Sequence, residues 1–465
     1  MAKHNVKDPD LEKYGIVYTP NNLVNKVLDL IPEENFKNPD LKWLDIGAGK
    51  GAFTFNLFDR LYKNLDSIFI DPYERKKHIL ENMLYMVEIY EPHIVELKNK
   101  FKEICDISLN LITGDFLSIN KHEYPYFDFI IGNPPYNIDG SIKTPTNNNQ
   151  NKKDDGKTIY VDFINKSLEM LHEDGYLNLI IPNLWLKPDK AGLYKTLTNL
   201  NIIKLNCLST SESCKLFNYQ AQIPTSYFLI QNRDISFYNN KIINLYDKNV
   251  NNYVKYTLFN NYPIPTHSAT IINKLMEYVK TYGSLKIHKT NTAPINSKFS
   301  VYCINAYEKY DYINIKTCYI DENSPTLIFN YSNIKQSYYK TPKLVLPHKM
   351  YGFPYFDETG VYGVSTRDNY VITKNDYSLS ELESLQYYLS SKFALFIFSV
   401  TNYRMRLLEK YAFHFIPDIT KISYFPSLKN TSQKERSILI ADFFKLSESE
   451  RDLIENSIKD YEFFV

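Results

Sequence analysis

Cysteine is scarce and scattered: five residues, at 105, 207, 214, 303 and 318, with no CxxC pair and no companion histidine cluster. That spacing argues against a zinc site and against a disulfide framework; buried thiols in a reducing cytosol fit better. Long apolar runs are also missing. The longest, such as FALFIFSV at 393–400, match core strands or helices and fall well short of the roughly 18 residues a membrane span needs. The opening MAKHNVKDPDLEKYG is polar and has no apolar h-region, so no signal peptide is expected. No internal repeat is visible.

What the 465 residues do hold is a substantial apolar content, 44%, enough for a large core and for two to three domains. Tyrosine is abundant, with 40 residues, but the accompanying Asn, Lys and Ile bias ties that to composition rather than to function. The net charge of +1 hides an asymmetry: residues 241–430 carry +8, the last 35 carry −3 and residues 1–240 carry −4. A basic module behind an acidic one is the expected footprint of polyanion binding.

Residues 1–240 alternate between strand and helix patterns. LKWLDIGAGKG reads as a strand entering a glycine loop and then a helix, AFTFNLFDRLY; MLYMVEI, LNLITGD and YFDFIIGNPPY read as further strands. DFINKSLEMLHEDG reads as a helix stopping at Gly175, and GYLNLIIPNLW as a fifth strand. NIIKLNCLS and TSYFLIQN complete an expected seven-stranded, mostly parallel sheet covered by helices. Ligands in such sheets sit beyond the carboxyl ends of the strands, where each motif below falls. Residues 137–157 form a long polar loop directly after the fourth strand, ELESLQYYLSSKFALFIFSVT reads as one helical stretch, and 431–465 as one or two closing helices.

Asp45, Gly47, Gly49 and Gly51 form a turn that lets the backbone approach a ligand. Dinucleotide sites prefer GxGxxG with an acid about 20 residues on. Here the acids Glu88 and Asp115 come later, each at the end of a successive strand. Three acid-tipped strands suit a ligand with several donors and no pyrophosphate, and S-adenosylmethionine is such a ligand. Asp45 and the loop would hold its methionine part, Glu88 its ribose hydroxyls, and Asp115 its adenine amino group, with Phe116 against the ring.

Asn133-Pro134-Pro135-Tyr136 follows the fourth strand. Two prolines stiffen the turn and remove two backbone donors, leaving the Asn133 side-chain oxygen and the Pro134 carbonyl as acceptors beside the flat ring of Tyr136. Such a corner suits a planar heterocycle bearing an amino group, and it needs no cysteine nucleophile.

In that order the motifs resemble the class I amino-methyltransferases, especially the type II restriction–modification adenine methyltransferases of the gamma arrangement. Within Tyr14-Gly15-Ile16-Val17-Tyr18-Thr19-Pro20, the resemblance places Tyr18, Thr19 and Pro20 at the methionine end of the cofactor. Tyr160-Val161-Asp162-Phe163 matches a later helix, and LFNYQAQIPTSYFLI a segment supplying a second aromatic for the target base, Phe217 or else Tyr219. The resemblance covers residues 10–232. The long stretch between the glycine loop and the Glu88 strand departs from it.

The resemblance implies N6 methylation of a flipped-out adenine in double-stranded DNA, by a cytosolic monomer with or without a separate cognate endonuclease. RNA adenine and DNA cytosine N4 stand as alternative targets. It divides the chain into a cofactor-binding catalytic domain (1–240), a mixed α+β target-recognition domain (241–430) and a helical tail (431–465). Candidate DNA contacts are Lys152, Lys153, Arg367, Lys374, Arg404 and Arg406.

Overall fold

The computed structural model describes residues 13–138, 157–189, 192–219, 221–238, 241–290, 302–303, 310–321, 324–347, 354–365, 369–404 and 408–459. The chain divides into two compact units, one running to Tyr246 and including Lys255–Asn260, the other made of Asp247–Val254 and everything from Asn261 on.

The first unit is built on strands β1 (Trp43–Ile46), β2 (Leu84–Glu88), β3 (Asn110–Thr113) and β4 (Phe127–Gly132). A ribbon of β5 (Asn137–Ile138) and β6 (Lys157–Thr158) follows, then β7 (Leu171–Pro182), β8 (Leu200–Leu208), β9 (Thr225–Asp234), β10 (Lys241–Asp247) and β11 (Asn252–Leu258). Apart from the ribbon they form one sheet in the order β11-β10-β8-β9-β7-β4-β1-β2-β3. Pairing is parallel from β3 to β7, and β9 runs antiparallel to both β7 and β8. The sheet therefore has nine strands rather than seven, because β10 and β11 extend it past β8. The expected boundary at 240 accordingly falls short of the first sheet's last strands.

Helices cover the sheet. They include α1 (Asn21–Leu28), α2 (Ala52–Asn64), α3 (Pro72–His78), α4 (Glu91–Ile104) and α5 (Tyr160–Met170). Helix α2 buries Phe53, Leu57, Phe58 and Leu61, a stripe at helical spacing in which each fully buried side chain contributes roughly 1.5–3 kcal/mol. On β1, Trp43 stacks between Phe36 at 5.4 Å and Phe129 at 4.1 Å, fixing the centre of the core. Register brings the carboxyl ends of the central strands level: Ile46 pairs with Val87, and Glu88 with Thr113. The order of connection reverses between β1 and β4, which opens a crevice beyond those ends.

One helix ends earlier than its pattern suggests. Helix α5 stops at Met170, and the residues through Gly175 already belong to β7, with a register irregularity against β4.

The second unit holds two four-stranded sheets, one containing the hairpin Tyr312–Asp321 and Ser324–Ser332, the other ordered around Lys343–Pro347 and Asn369–Thr373. Ile315, Val345, Val364 and Val371 form a shared core. The stretch expected as one helix is two, Leu379–Leu389 and Lys392–Ser399, because the Ser391 side chain caps the second by accepting from the Ala394 N–H at 3.2 Å. Gln433–Phe443 and Glu448–Ser457 are helices of this same unit, each opened by a capping box. The unit is mixed α+β, as expected. Among the described residues, no helix is long and apolar enough to cross a membrane.

Candidate active site

A cavity of about 520 Å³ opens beyond the carboxyl ends of β1, β2, β3 and β4. Its walls are the 14–19 segment, the loop 47–51, Glu88, His93, Gly114-Asp115-Phe116, Asn133, Pro135 and Phe163. Elements distant in sequence thus meet around one cavity.

The glycine loop is shaped by three left-handed residues: Gly47 (φ 70°), Gly49 (φ 57°) and Gly51 (φ 87°). A Cβ on Gly47 would have no heavy atom within 4 Å, and the same holds for Gly114. Gly51 differs, since its Cβ would strike the Phe55 ring at 2.4 Å, so its role is close packing beneath the loop.

Glu88 lines the cavity, is 5% exposed, and holds the surrounding backbone. Its Oε2 accepts from Gly49 N–H at 2.6 Å, and its Oε1 from the Ile89 and Tyr90 N–H groups at 3.0 and 2.8 Å. Asp115 is exposed to the cavity, with Oδ1 accepting from Leu117 N–H at 3.0 Å. Phe116 is buried behind it against Phe163, at 5.3 Å between ring centres.

Asp45 is not part of the lining. It is 1% exposed beneath the loop, where Oδ2 accepts from the Thr54 hydroxyl at 2.5 Å and Oδ1 has no partner. Burial pushes its carboxyl up to about 7; the Thr54 bond works the other way and the Glu88 charge adds to the rise. Asp45 is the penultimate residue of a strand buried along its whole length, and its carboxyl packs under the loop instead of lining the cavity, which corrects its expected placement against a ligand.

The N-terminal segment meets the NPPY turn directly. Asn133 Nδ2 donates to Thr19 Oγ1 at 3.1 Å, while Asn133 Oδ1 is buried and unpartnered. Gly15 (φ 64°) lies so close that a Cβ would sit 2.1 Å from the Asn137 carbonyl, so the YG step of YGIVYTP admits only glycine. Pro20 stays outside the lining and instead opens α1, its carbonyl accepting from Leu23 and Val24 N–H. Pro134 is likewise buried outside the lining, whereas Pro135 forms part of it. Tyr136 also stands outside the lining: its ring meets Tyr160 edge-on at 6.4 Å, and burial drives its unpartnered hydroxyl well above the usual phenol range.

Phe217 is 1% exposed at the end of the helix Thr210–Leu216, so it is a core residue and not a free aromatic plate. The next two residues turn left-handed, and Tyr219 emerges 69% exposed. Lys374 and Arg404 are exposed, Arg404 with Glu409 at 3.9 Å. Lys152, Lys153, Arg367 and Arg406 lie outside the described residues.

His93 was missed by sequence reasoning. It is 2% exposed in the cavity wall, with Nε2 at 3.1 Å from the Tyr18 hydroxyl. Its only sequence signal is a place on the buried face of α4, which any core residue shares. Among the described residues no group of His, Cys, Asp and Glu is arranged to hold a metal ion.

The reversed sheet order, the left-handed glycine loop and the acid-ended strands around one cavity define the class I methyltransferase fold. Residues 57–214 match the family described as Eco57I restriction-modification methylase. An uncharacterized adenine-specific methylase of Mycoplasma pneumoniae is 27% identical over 242 residues, covering 37% of this chain and 55% of the relative. The type II methyltransferase M.BstVI of Geobacillus stearothermophilus is 28% identical over 201 residues, covering 37% of this chain and 34% of the relative. The chain thus spans about half or less of the curated relatives it matches. The Type IIL restriction-modification enzyme MmeI, solved in complex with DNA, aligns over 97% of this chain and 74% of its own, with 12% identity and a TM-score of 0.51, a likeness of fold.

Proposed function

We propose that the chain is a site-specific DNA methyltransferase acting on adenine N6, with S-adenosylmethionine as methyl donor. The observation that carries this reading is the buried, unpartnered Asn133 Oδ1, held by its own amide in the wall of the cavity that Gly47 and Asp115 also line. A buried acceptor without a donor is costly and calls for one from a ligand.

The residues fit the cofactor. The cavity falls within the roughly 300–1,000 Å³ typical of small-molecule sites. The open cradle over Gly47 admits the methionine part, Glu88 retains acceptor capacity toward ribose hydroxyls, and Asp115 with Phe116 faces the adenine. Bound there, S-adenosylmethionine supplies an electrophilic methyl group.

The chain's own contribution is to hold the amine that receives it. Asn133 Oδ1 and the Pro134 carbonyl accept the two amino protons, which localises the nitrogen lone pair away from the ring. The bond from Asn133 Nδ2 to Thr19 fixes which end of the amide faces the target. A stacked adenine cannot reach this depth, so the base is flipped out at a cost of about a few kcal/mol. Aromatic stacking returns roughly 1–3 kcal/mol per contact. Tyr136 from the turn supplies one face, and Tyr219, exposed where Phe217 is buried, supplies the second. Residues from about 261 to 430 form the recognition part, with Lys374 and Arg404 on DNA phosphates. The protein works as a cytosolic monomer on duplex DNA, with any cognate endonuclease a separate chain.

The test is sequencing for methylated bases in duplex DNA incubated with protein and S-adenosylmethionine, which reports base, atom and site together. Methyladenine in a short specific sequence is expected, falling by at least about 100-fold in Asn133→Ala, the order seen when one positioned hydrogen-bonding group at a reacting centre is lost. Undiminished transfer by Asn133→Ala would overturn the assignment.

A further inference from the structure

The imidazole of His93 joins two walls of the cavity. It projects from the first turn of α4, with Nε2 at 3.1 Å from the Tyr18 hydroxyl on the N-terminal segment. Its Nδ1 is buried, without a hydrogen-bond partner, 3.7 Å from Glu88 Oε1. The rings of Tyr18 and Tyr90 close around it edge-on, at 5.8 and 4.9 Å. Glu88 is in turn the acceptor for Gly49 N–H. One side chain therefore stands between the segment that carries Tyr18 and the carboxylate that holds the glycine loop.

The neighbouring residue adds a second attachment. Thr19 receives the Asn133 amide, so Tyr18 and Thr19 pin the segment to the acid side and to the NPPY side of the cavity respectively. Loss of the first attachment removes the hydrogen bond by which Tyr18 ties the segment to the acid side of the cavity. A tyrosine hydroxyl that donates to Nε2 also places the ring proton on Nδ1, facing Glu88. In that tautomer the imidazole receives from Tyr18 and turns its N–H edge toward the carboxylate, 3.7 Å away.

We propose that His93 is a positioning residue for the cofactor: it fixes Tyr18 and orients Glu88, and so sets affinity for S-adenosylmethionine without touching the transferred methyl group. This rests on the proposed cofactor.

The experiment is calorimetric titration of the full chain with S-adenosylmethionine, paired with steady-state kinetics on duplex DNA, for wild type, His93→Leu, His93→Gln, His93→Asn and Tyr18→Phe. A glutamine reaches to the position of Nε2 and an asparagine to that of Nδ1. Expected is a Kd raised about tenfold by His93→Leu, the size of one lost buried hydrogen bond, with the change falling on KM for the cofactor rather than on kcat. His93→Gln should recover most of that loss and His93→Asn should not. Tyr18→Phe should cost little more when combined with His93→Leu than His93→Leu costs alone. Wild type that fails to bind S-adenosylmethionine saturably would remove the cofactor reading itself. Wild type that binds, with His93→Leu binding equally tightly or Gln and Asn equally impaired, would leave that reading standing and overturn the role of His93.

Discussion

Asp45 offers a quantitative test of the site's electrostatics. Its carboxylate is 1% exposed under the glycine loop, and burial lifts its pKa from the usual 3.8 to about 7. Between those two values the folded chain holds a proton that the unfolded chain has released. Stability from this group is therefore complete below pH 4 and is lost as pH rises to 7. Each tenfold change in proton concentration within that window is worth about 1.4 kcal/mol, so from pH 5 to pH 8 the loss is about 3 kcal/mol. Asp45→Asn keeps an acceptor for Thr54 and carries no ionisable proton, so its stability lacks this component. Urea unfolding of both proteins at pH 5, 6, 7 and 8, without cofactor, isolates the difference, since all other titrating groups are common to the pair. The stability of wild type relative to Asp45→Asn should decline by about 3 kcal/mol across the series, most steeply between pH 5 and 7. A difference that stays constant with pH would show that the carboxyl titrates normally and that the burial argument is wrong.

Other consequences can be checked separately. Phe217→Ala should destabilise the fold by about 3–5 kcal/mol, as a buried phenylalanine does, whereas Tyr219→Ala should leave the thermal midpoint unchanged and weaken DNA-dependent methyl transfer; the reverse pattern would exchange their roles. Gly47→Val adds a side chain in a left-handed residue facing the open cradle, and S-adenosylmethionine affinity should fall at least about tenfold by calorimetry. Asp115→Ala should weaken cofactor binding with an unchanged circular dichroism spectrum; unaltered affinity would remove it from the site. Lys374→Ala and Arg404→Ala should each weaken duplex binding across all sequences and reduce the slope of log affinity against log salt by about 1.

The parts of the site visible in the sequence are those where backbone geometry or strand position dictates the residue. The glycines of 47–51 are left-handed as their clustering implies, and Glu88 and Asp115 stand at strand ends because the apolar runs before them define those ends. What escaped notice depends on side-chain direction. Asp45 shares a strand end with its neighbours, yet the pleat turns it under the loop. Phe217 and Tyr219 are equivalent as aromatics in a string of letters, and the left-handed pair at 218 and 219 decides which one surfaces. Ser390-Ser391 does not break an apolar period, so the interruption of the long helix rests on a hydroxyl that caps instead of pointing to solvent. His93 acquires meaning only when Tyr18, 75 residues earlier, is brought beside it.

The ribbon of β5 and β6 fastens Asn137 to Thr158 immediately behind the NPPY turn. Backbone pairing at that neck holds the two strand ends together, and the Ile159 N–H continues the attachment by donating to the Tyr136 carbonyl at 3.1 Å. Doubling the length of a joining segment adds only about 0.6 kcal/mol to the entropy of closing it. The neck is thus a place where the chain can be lengthened or shortened at small entropic cost while the turn behind it keeps its backbone partners.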